Sequence, residues 1–223
     1  MGCGVTYPDV IGELQTLDLV LSGRSLARYG DGEFKIARSI AAGIKSQRAD
    51  MVLSRRLAGI LIESGDCLVG IPNIKSTTPK ADFWGRVAPW ATPLLSPRRL
   101  YVSSFVSRAD SAPWINTAEY WAKVEQLWRG RDVTLVRGSG KAFTPELMTG
   151  AGRITEIMGP RSDAWSSYGE LLEQIGRPDR VLISLGPTAT VLAVDLCARG
   201  VHAIDVGHMG AFYRRWVPEA ATV

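Results

Sequence analysis

The chain has 223 residues, 46% of them hydrophobic and 22% charged, the balance of a folded globular protein rather than a disordered one; the length fits one sizeable α/β domain better than two small ones. A net charge of +4 and a pI of about 9.1 suit phosphate-bearing ligands, anionic surfaces or nucleic acid. The basic residues are scattered, however, as in Arg55-Arg56, Arg98-Arg99 and Arg214-Arg215, which weakens a nucleic-acid footprint.

No apolar run is long enough to span a bilayer, and the first residues lack the layout of a secretory signal. Met1-Gly2-Cys3-Gly4-Val5-Thr6 formally matches a myristoylation pattern, too short to carry weight. Cys3, Cys67 and Cys197 are widely spaced, which argues against a thiolate metal site and for a reducing, cytoplasmic setting. Cys67 and Cys197 lie in apolar runs and read as packed side chains.

In chain order, residues 1–24 read as a lead-in with one helix, closed by Gly23, and residues 25–223 as the main domain. Ser25 to Tyr29 is a short strand. Phe34, Ile36, Ala37, Ile40, Ala41 and Ile44 have helical spacing, which predicts a helix over 34–44. A second helix is expected over 50–64, then a strand over 67–71 ended by Pro72. Residues 83–95 suggest a helix broken by Pro89 and Pro93. A strand over 100–104 leads into a loop over 108–114, and an amphipathic helix follows over 117–129. Strands over 133–136, 153–158, 181–185 and 201–206 are separated by a helix over 166–175 and one that runs to Arg199, capped by Gly200. Alternating strands and helices, with several strands as continuous apolar runs, predict a mostly parallel sheet covered by helices on both faces.

In such a sheet ligands bind beyond the carboxyl ends of the strands, and the candidate groups cluster there. Arg28-Tyr29-Gly30-Asp31-Gly32-Glu33-Phe34 places two carboxylates in a glycine-flanked turn between a strand and a helix. In a turning backbone Asp31 and Glu33 can converge on one cation, while Gly30 and Gly32 leave the backbone open to a ligand. The same stretch also reads as a turn with a solvated Asp and a helix-capping Glu. Arg108 follows the third strand. Gly138-Ser139-Gly140-Lys141 follows the next, a glycine turn with one usable lysine that fails the P-loop pattern. Gly186-Pro187-Thr188-Ala189-Thr190 fits an anion site at a helix start and equally a helix N-cap at Thr188. Asp205 and His208 close the last strand, where His208 suits an acid–base or metal role and His202 a structural one. Trp121 and Trp128 read as core, and Trp114 and Trp165, in or beside loops, as platforms for a base or sugar.

Three stretches together resemble the GT-D-type glycosyltransferases: Arg28 to Phe34, Leu185 to Ala193 with Asp195-Leu196, and Ala203 to His208. Their order and separation match, and the resemblance covers the chain from about Ser25 to Trp216. It implies a single Rossmann-like domain that moves a sugar, hexosyltransferase-like, from a nucleotide diphosphate donor, most simply a UDP-sugar, to a glycan, protein or other acceptor. It also implies Mn²⁺ or Mg²⁺ held by Asp31 and Glu33, which match the family's D-x-E carboxylates. Within that frame Arg28, Gly30, Gly32, Arg108, Lys141, Gly186, Pro187, Thr188 and Thr190 are expected at the substrate, and Asp205 or His208 as base or supporting partner. A homo-oligomer is allowed. The sequence departs from the family pattern at Gly138 to Phe143 and at Met209 to Arg215. Two other readings compete: a nucleotide-sugar binder without catalysis, and a basic nucleic-acid module.

Overall fold

A computed structural model describes residues 6–138 and 140–216. The myristoylation pattern at residues 1–6 therefore lies, but for Thr6, outside the described residues, as do Cys3 and Ser139. Eight parallel strands form one sheet: β1 (Val10–Ile11), β2 (Leu26–Arg28), β3 (Leu68–Ile71), β4 (Tyr101–Ser103), β5 (Val133–Arg137), β6 (Ile154–Met158), β7 (Arg180–Ser184) and β8 (His202–Asp205). Their spatial order is β1-β4-β3-β2-β8-β7-β5-β6. The chain builds outward from β2 on one side. It then crosses to the far edge and returns through β7 and β8 to lie against β2. The seam between β2 and β8 is thus the topological switch point, where a ligand crevice opens at the carboxyl ends of the strands.

Eight helices are described: α1 (Glu13–Leu21), α2 (Asp31–Arg38), α3 (Met51–Ile62), α4 (Ala81–Ala91), α5 (Ala118–Glu125), α6 (Tyr168–Ile175), α7 (Pro187–Ala198) and α8 (Met209–Trp216). α7 is largely apolar, with Val191, Leu192, Ala193 and Leu196 fully buried, so most of its surface must be enclosed. It packs against β2, β8, α3 and α6. On the opposite side α5 and α8 share an aromatic cluster in which Tyr213 meets Trp121, Trp128 and Phe143 at ring separations of 5.5–5.7 Å. Trp121 and Trp128 are core residues, as expected. No helix among the described residues is long and apolar enough to cross a membrane.

Four elements differ from the sequence reading. The lead-in contains a strand, β1, which joins the same sheet through Val10↔Tyr101 and Ile11↔Val102. α2 begins at Asp31 and ends at Arg38, so Ile40 is exposed instead of packed. Pro89 does not break α4: it sits in the last turn, where one missing donor is tolerated before Thr92–Leu94 tightens into a 3-10 turn around Pro93. The tail after His208 forms α8, whose Met209, Phe212, Tyr213 and Trp216 have helical spacing.

The seam has one backbone register pair, Leu26↔Ile204. Side chains reinforce it. At the amino end, buried Ser25 donates its hydroxyl to Val201 O (3.1 Å) and accepts from Ala203 N (3.0 Å). Ser25→Ala leaves a buried donor and acceptor unpaired, and chemical denaturation is expected to show a loss of about 1–3 kcal/mol with an unchanged m-value. An unchanged midpoint would mean that the backbone ladder alone holds the halves together.

Candidate active site

The carboxyl ends of β2, β4, β7 and β8 surround a cleft of about 400 Å³. β2 supplies Arg28 and, through its turn into α2, Gly30 to Glu33. The segment after β4 supplies Arg108, and the turn from β7 into α7 supplies Ser184, Gly186 and Pro187. The end of β8 supplies Asp205, Gly207 and His208. A side chamber of about 90 Å³ shares Ser46, Ser184, Gly186 and His208 with the cleft and extends to Pro160, Arg161 and Ser162.

Asp31 and Glu33 occupy the first turn of α2 rather than a free turn before it: carboxylates are favoured there by the helix dipole, but side chains two positions apart on a helix do not face each other, so the convergence expected of a turning backbone is not what the structure has. Glu33 folds back so that its Oε2 accepts from Gly30 N at 2.9 Å, half of a capping box. The helix-capping role of Glu33 is therefore real. Burial raises the Glu33 carboxyl above the usual range, opposed by the Gly30 N–H and reinforced by the Asp205 carboxylate. Asp31 is exposed and makes no ion pair among the described residues.

Arg28 is nearly buried and fully directed. Its Nε donates to Asp205 O (2.7 Å), Nη1 to Ser104 O (3.2 Å) and Nη2 to Asp205 Oδ1 (3.2 Å). Asp205 also accepts from Gly207 N at 3.0 Å. Burial raises the Asp205 carboxyl, and Arg28 opposes that rise. Gly207 has φ +47, and a Cβ there would overlap the Arg28 guanidinium, so only glycine fits. Arg108 is held by a bidentate pair with Asp110, Nε–Oδ1 2.8 Å and Nη2–Oδ2 2.9 Å, and Lys80 pairs with the same carboxylate. These hydrogen bonds raise the Arg108 pKa and keep it charged.

Gly186, at φ +56, is the N-cap of α7, with Pro187 at the first helical position. This corrects the expected cap at Thr188. The turn presents a bare backbone and the positive end of a buried helix to the cleft.

The family comparison decides the affiliation. The model of the glycosyltransferase GT-D fold matches residues 26–222. The chain belongs to the GT-D family. It is 32% identical over 223 residues to the probable glycosyl transferase Gly of Streptococcus gordonii, an alignment covering 89% of this chain and 32% of that protein. It is 28% identical to the glycosyltransferase GlyD of Streptococcus pneumoniae serotype 4, covering 93% of this chain and 27% of the relative. The chain thus spans about a third or less of the length of these curated relatives. Its fold is similar to a solved structure of the highly conserved domain of unknown function 1792, described as a distinct glycosyltransferase fold. The TM-score is 0.82 at 28% identity, with coverage of 93% of this chain and 81% of the other. A new glycosyltransferase from Streptococcus sanguinis gives a TM-score of 0.81 at 29% identity, with coverage of 97% and 87%.

Of the site residues expected from sequence, the GT-D cleft brings together Arg28, Gly30, Asp31, Gly32, Glu33, Arg108, Gly186, Pro187, Asp205 and His208. Three fall outside its lining. Thr190 is buried and donates its hydroxyl to Arg28 O at 2.8 Å, so it supports the strand end. Thr188 is buried, with its hydroxyl unpartnered. Lys141 is exposed beside the cleft, close enough for its charge to act on His208. Neither Trp114 nor Trp165 forms a platform there: Trp114 Nε1 donates to Glu13 (3.1 Å), and Trp165 Nε1 donates to Asp50 (3.0 Å). His202 is structural, held between Arg180 Nε (3.1 Å) and Arg24 O (3.1 Å).

Sequence reasoning missed Lys45 and Ser46, which line the cleft because α2 stops early. It also missed Asp110 as the group that orients Arg108, although an acidic residue two positions on in a loop was a usable signal.

The His208 pKa is lowered to about 4, by partial desolvation of the ring and then by the positive charges of Arg108, Lys141 and Arg28. The imidazole is therefore neutral at pH 7, and protonation of the folded state is disfavoured as pH falls from 6.5 toward 4. NMR titration of the ring should give a midpoint near 4, and Arg108→Ala should raise it, since that removes a cation and frees Asp110. A midpoint at 6.5 in both proteins would mean that the ring does not feel the cleft.

Proposed function

We propose that this domain transfers a sugar from a nucleotide diphosphate donor, with a divalent ion held by Asp31 and Glu33. The observation that carries it is the pair of carboxylates in the first turn of α2, which line the switch-point cleft of a GT-D chain together with Gly186 and Pro187 at the amino end of α7. Carboxylate oxygens suit a hard cation such as Mg²⁺ or Mn²⁺. Among the described residues no group of three His, Cys, Asp or Glu is placed to hold a metal, so water and donor phosphate would complete the shell, as Mg²⁺ commonly requires. When bound, the ion supplies positive charge to the departing nucleoside diphosphate.

The remaining roles fall to the chain. The Gly186 turn and the α7 dipole receive phosphate oxygens. Arg108, pre-oriented by Asp110, adds a charge-assisted contact. Arg28 and Asp205 satisfy one another and set the shape of the cleft floor. His208, neutral and exposed at the rim, is the group suited to accept a hydrogen bond from the acceptor hydroxyl. A UDP-sugar is the donor we infer.

Several arginines are paired within the fold, at Arg28–Asp205, Arg108–Asp110 and Arg137–Glu156, which favours a donor site over a nucleic-acid surface. Free thiols at Cys67 and Cys197 are in keeping with a reducing, cytoplasmic setting.

Asp31→Asn and Glu33→Gln keep side-chain shape and remove the charge a hard cation needs. The double variant should lose sugar transfer from UDP-sugars while its melting temperature falls only slightly. The amide oxygen introduced by Glu33→Gln can still accept from Gly30 N, and capping is worth about 0.5–2 kcal/mol. Turnover within a few fold of wild type, at matched Mn²⁺ and donor, would sink the metal-site assignment. In calorimetry, wild-type donor binding should disappear with excess chelator; equal affinity with and without it would remove the ion from the reading.

A further inference from the structure

Residues 39–50, between α2 and α3, cross the mouth of the cleft as an irregular strap. Ile44 and Gln47 form an antiparallel bridge (Ile44 N→Gln47 O 2.8 Å; Gln47 N→Ile44 O 3.1 Å). Gly43 permits the turn: a Cβ there would lie 2.9 Å from Ala49 N and 3.0 Å from Gln47 O. Ile44 rests directly on Gly32, between the two carboxylates, leaving no spare room for a Cβ at that glycine. Lys45 and Ser46 are thereby placed in the cleft wall.

The strap is fastened to the segment around Asp163 and Trp165. Gln47, 2% exposed, donates Nε2 to Asp163 Oδ1 at 2.6 Å and accepts from Trp165 N at 3.3 Å. The same Asp163 oxygen accepts from Arg48 N at 3.2 Å, and Asp163 N donates to Ser46 O at 2.7 Å. Asp163 has φ +56, and among the described residues it is the one non-glycine with a positive φ. A residue held in that region marks a conformation imposed by its surroundings.

Charge accounting at the cleft gives the strap a purpose. Arg28 is paired with Asp205 and Arg108 with Asp110. Lys45 makes no ion pair among the described residues, although Asp31 and Glu33 line the same cleft. Its ammonium is thus a lining cation with no ion-pair partner of its own among the described residues, whereas Arg108 shares Asp110 with Lys80. A lysine stem is flexible, so its reach is set by its backbone, which the Asp163 clasp fixes at the next two residues.

We infer that Lys45 binds the anionic part of the ligand, a diphosphate, and that the Gln47–Asp163 clasp is the device that positions it. The identity of the ligand rests on the proposed donor; the strap and the clasp do not.

Calorimetry with uridine diphosphate and Mn²⁺, repeated with pyrophosphate and Mn²⁺, tests this. Lys45→Ala should weaken binding of both by about tenfold or more, and Lys45→Arg should restore it to within about threefold. Asp163→Gly removes the carboxylate contacts to Gln47 and Arg48 while relieving the backbone, leaving the Asp163 N–Ser46 O and Trp165 N–Gln47 bonds, so lost binding there is not the result of strain. It should weaken binding about fivefold and raise amide exchange at residues 44–48 without loosening α3. Combined with Lys45→Ala it should add less than about twofold, because the clasp acts through Lys45. Binding by the wild type that is unchanged in Lys45→Ala overturns the inference and leaves the donor site standing. Full additivity, or unchanged exchange in Asp163→Gly, overturns the positioning role. A wild type that binds neither probe overturns the proposed function, and Lys45's role with it.

Discussion

The Arg28–Asp205 pair is the contact on which the cleft depends. One guanidinium reaches the side chain and backbone of Asp205 at the end of β8 and the backbone of Ser104 just after β4, while its own carbonyl accepts from Thr190 in α7. Four elements from distant parts of the sequence are thus fixed around one cation. Both partners are almost excluded from water, so truncating either would leave an uncompensated buried charge, commonly destabilising by about 3–5 kcal/mol. Gly207 belongs to the same unit, because a side chain there would occupy the space of the guanidinium.

With that floor in place, the polar groups divide by whether the protein has already answered them. Arg28 is paired with Asp205, and Arg108 is held by Asp110, which it shares with Lys80. Asp31 and Lys45 make no ion pair among the described residues, and they carry opposite signs in one crevice without meeting. A site that keeps an anion and a cation apart is suited to a ligand that brings both charges, as a metal–diphosphate complex does. Neighbouring loops frame it. The two stretches where the sequence departs from the family pattern are spatial neighbours: Ala211 N donates to Lys141 O at 3.0 Å, and Gly210 packs so closely on Ala142 and Phe143 that no side chain would fit. They form one wall beside His208.

The fold was readable because its determinants are local. Short apolar runs such as Val181 to Ile183 between turn signals suit buried strands, and glycines such as Gly23 and Gly200, at φ +104 and +79, end helices where the chain must turn left-handed. The motif residues were readable because strand ends in a parallel sheet share one edge. What escaped was set by distant contacts. β1 is two residues long, too short for any period to declare it. The strap has helical spacing through Ile40 and Ile44, yet Asp163 and Trp165, more than a hundred positions away in sequence, capture Gln47 and Asp50 and hold it out of the helix. Thr190 and Trp114 have the chemistry of ligand groups, but buried or nearby acceptors claim their donors first. The tail is a different case: its apolar residues Met209, Phe212, Tyr213 and Trp216 have the helical spacing of α8.

The seam between β2 and β8 has a further consequence. Its register is one residue pair deep, riveted by Ser25 below and Arg28 above. The carboxylates, Lys45 and Arg108 stand on one half of the sheet, and the amino end of α7 and His208 on the other. Any ligand that engages both sets must lie across the joint, where it acts as a further rivet. Occupancy then stabilises that joint by mass action, adding to the ties that Thr190, the Arg56–Asp195 pair and the Gln47–Asp163 contact already make across it.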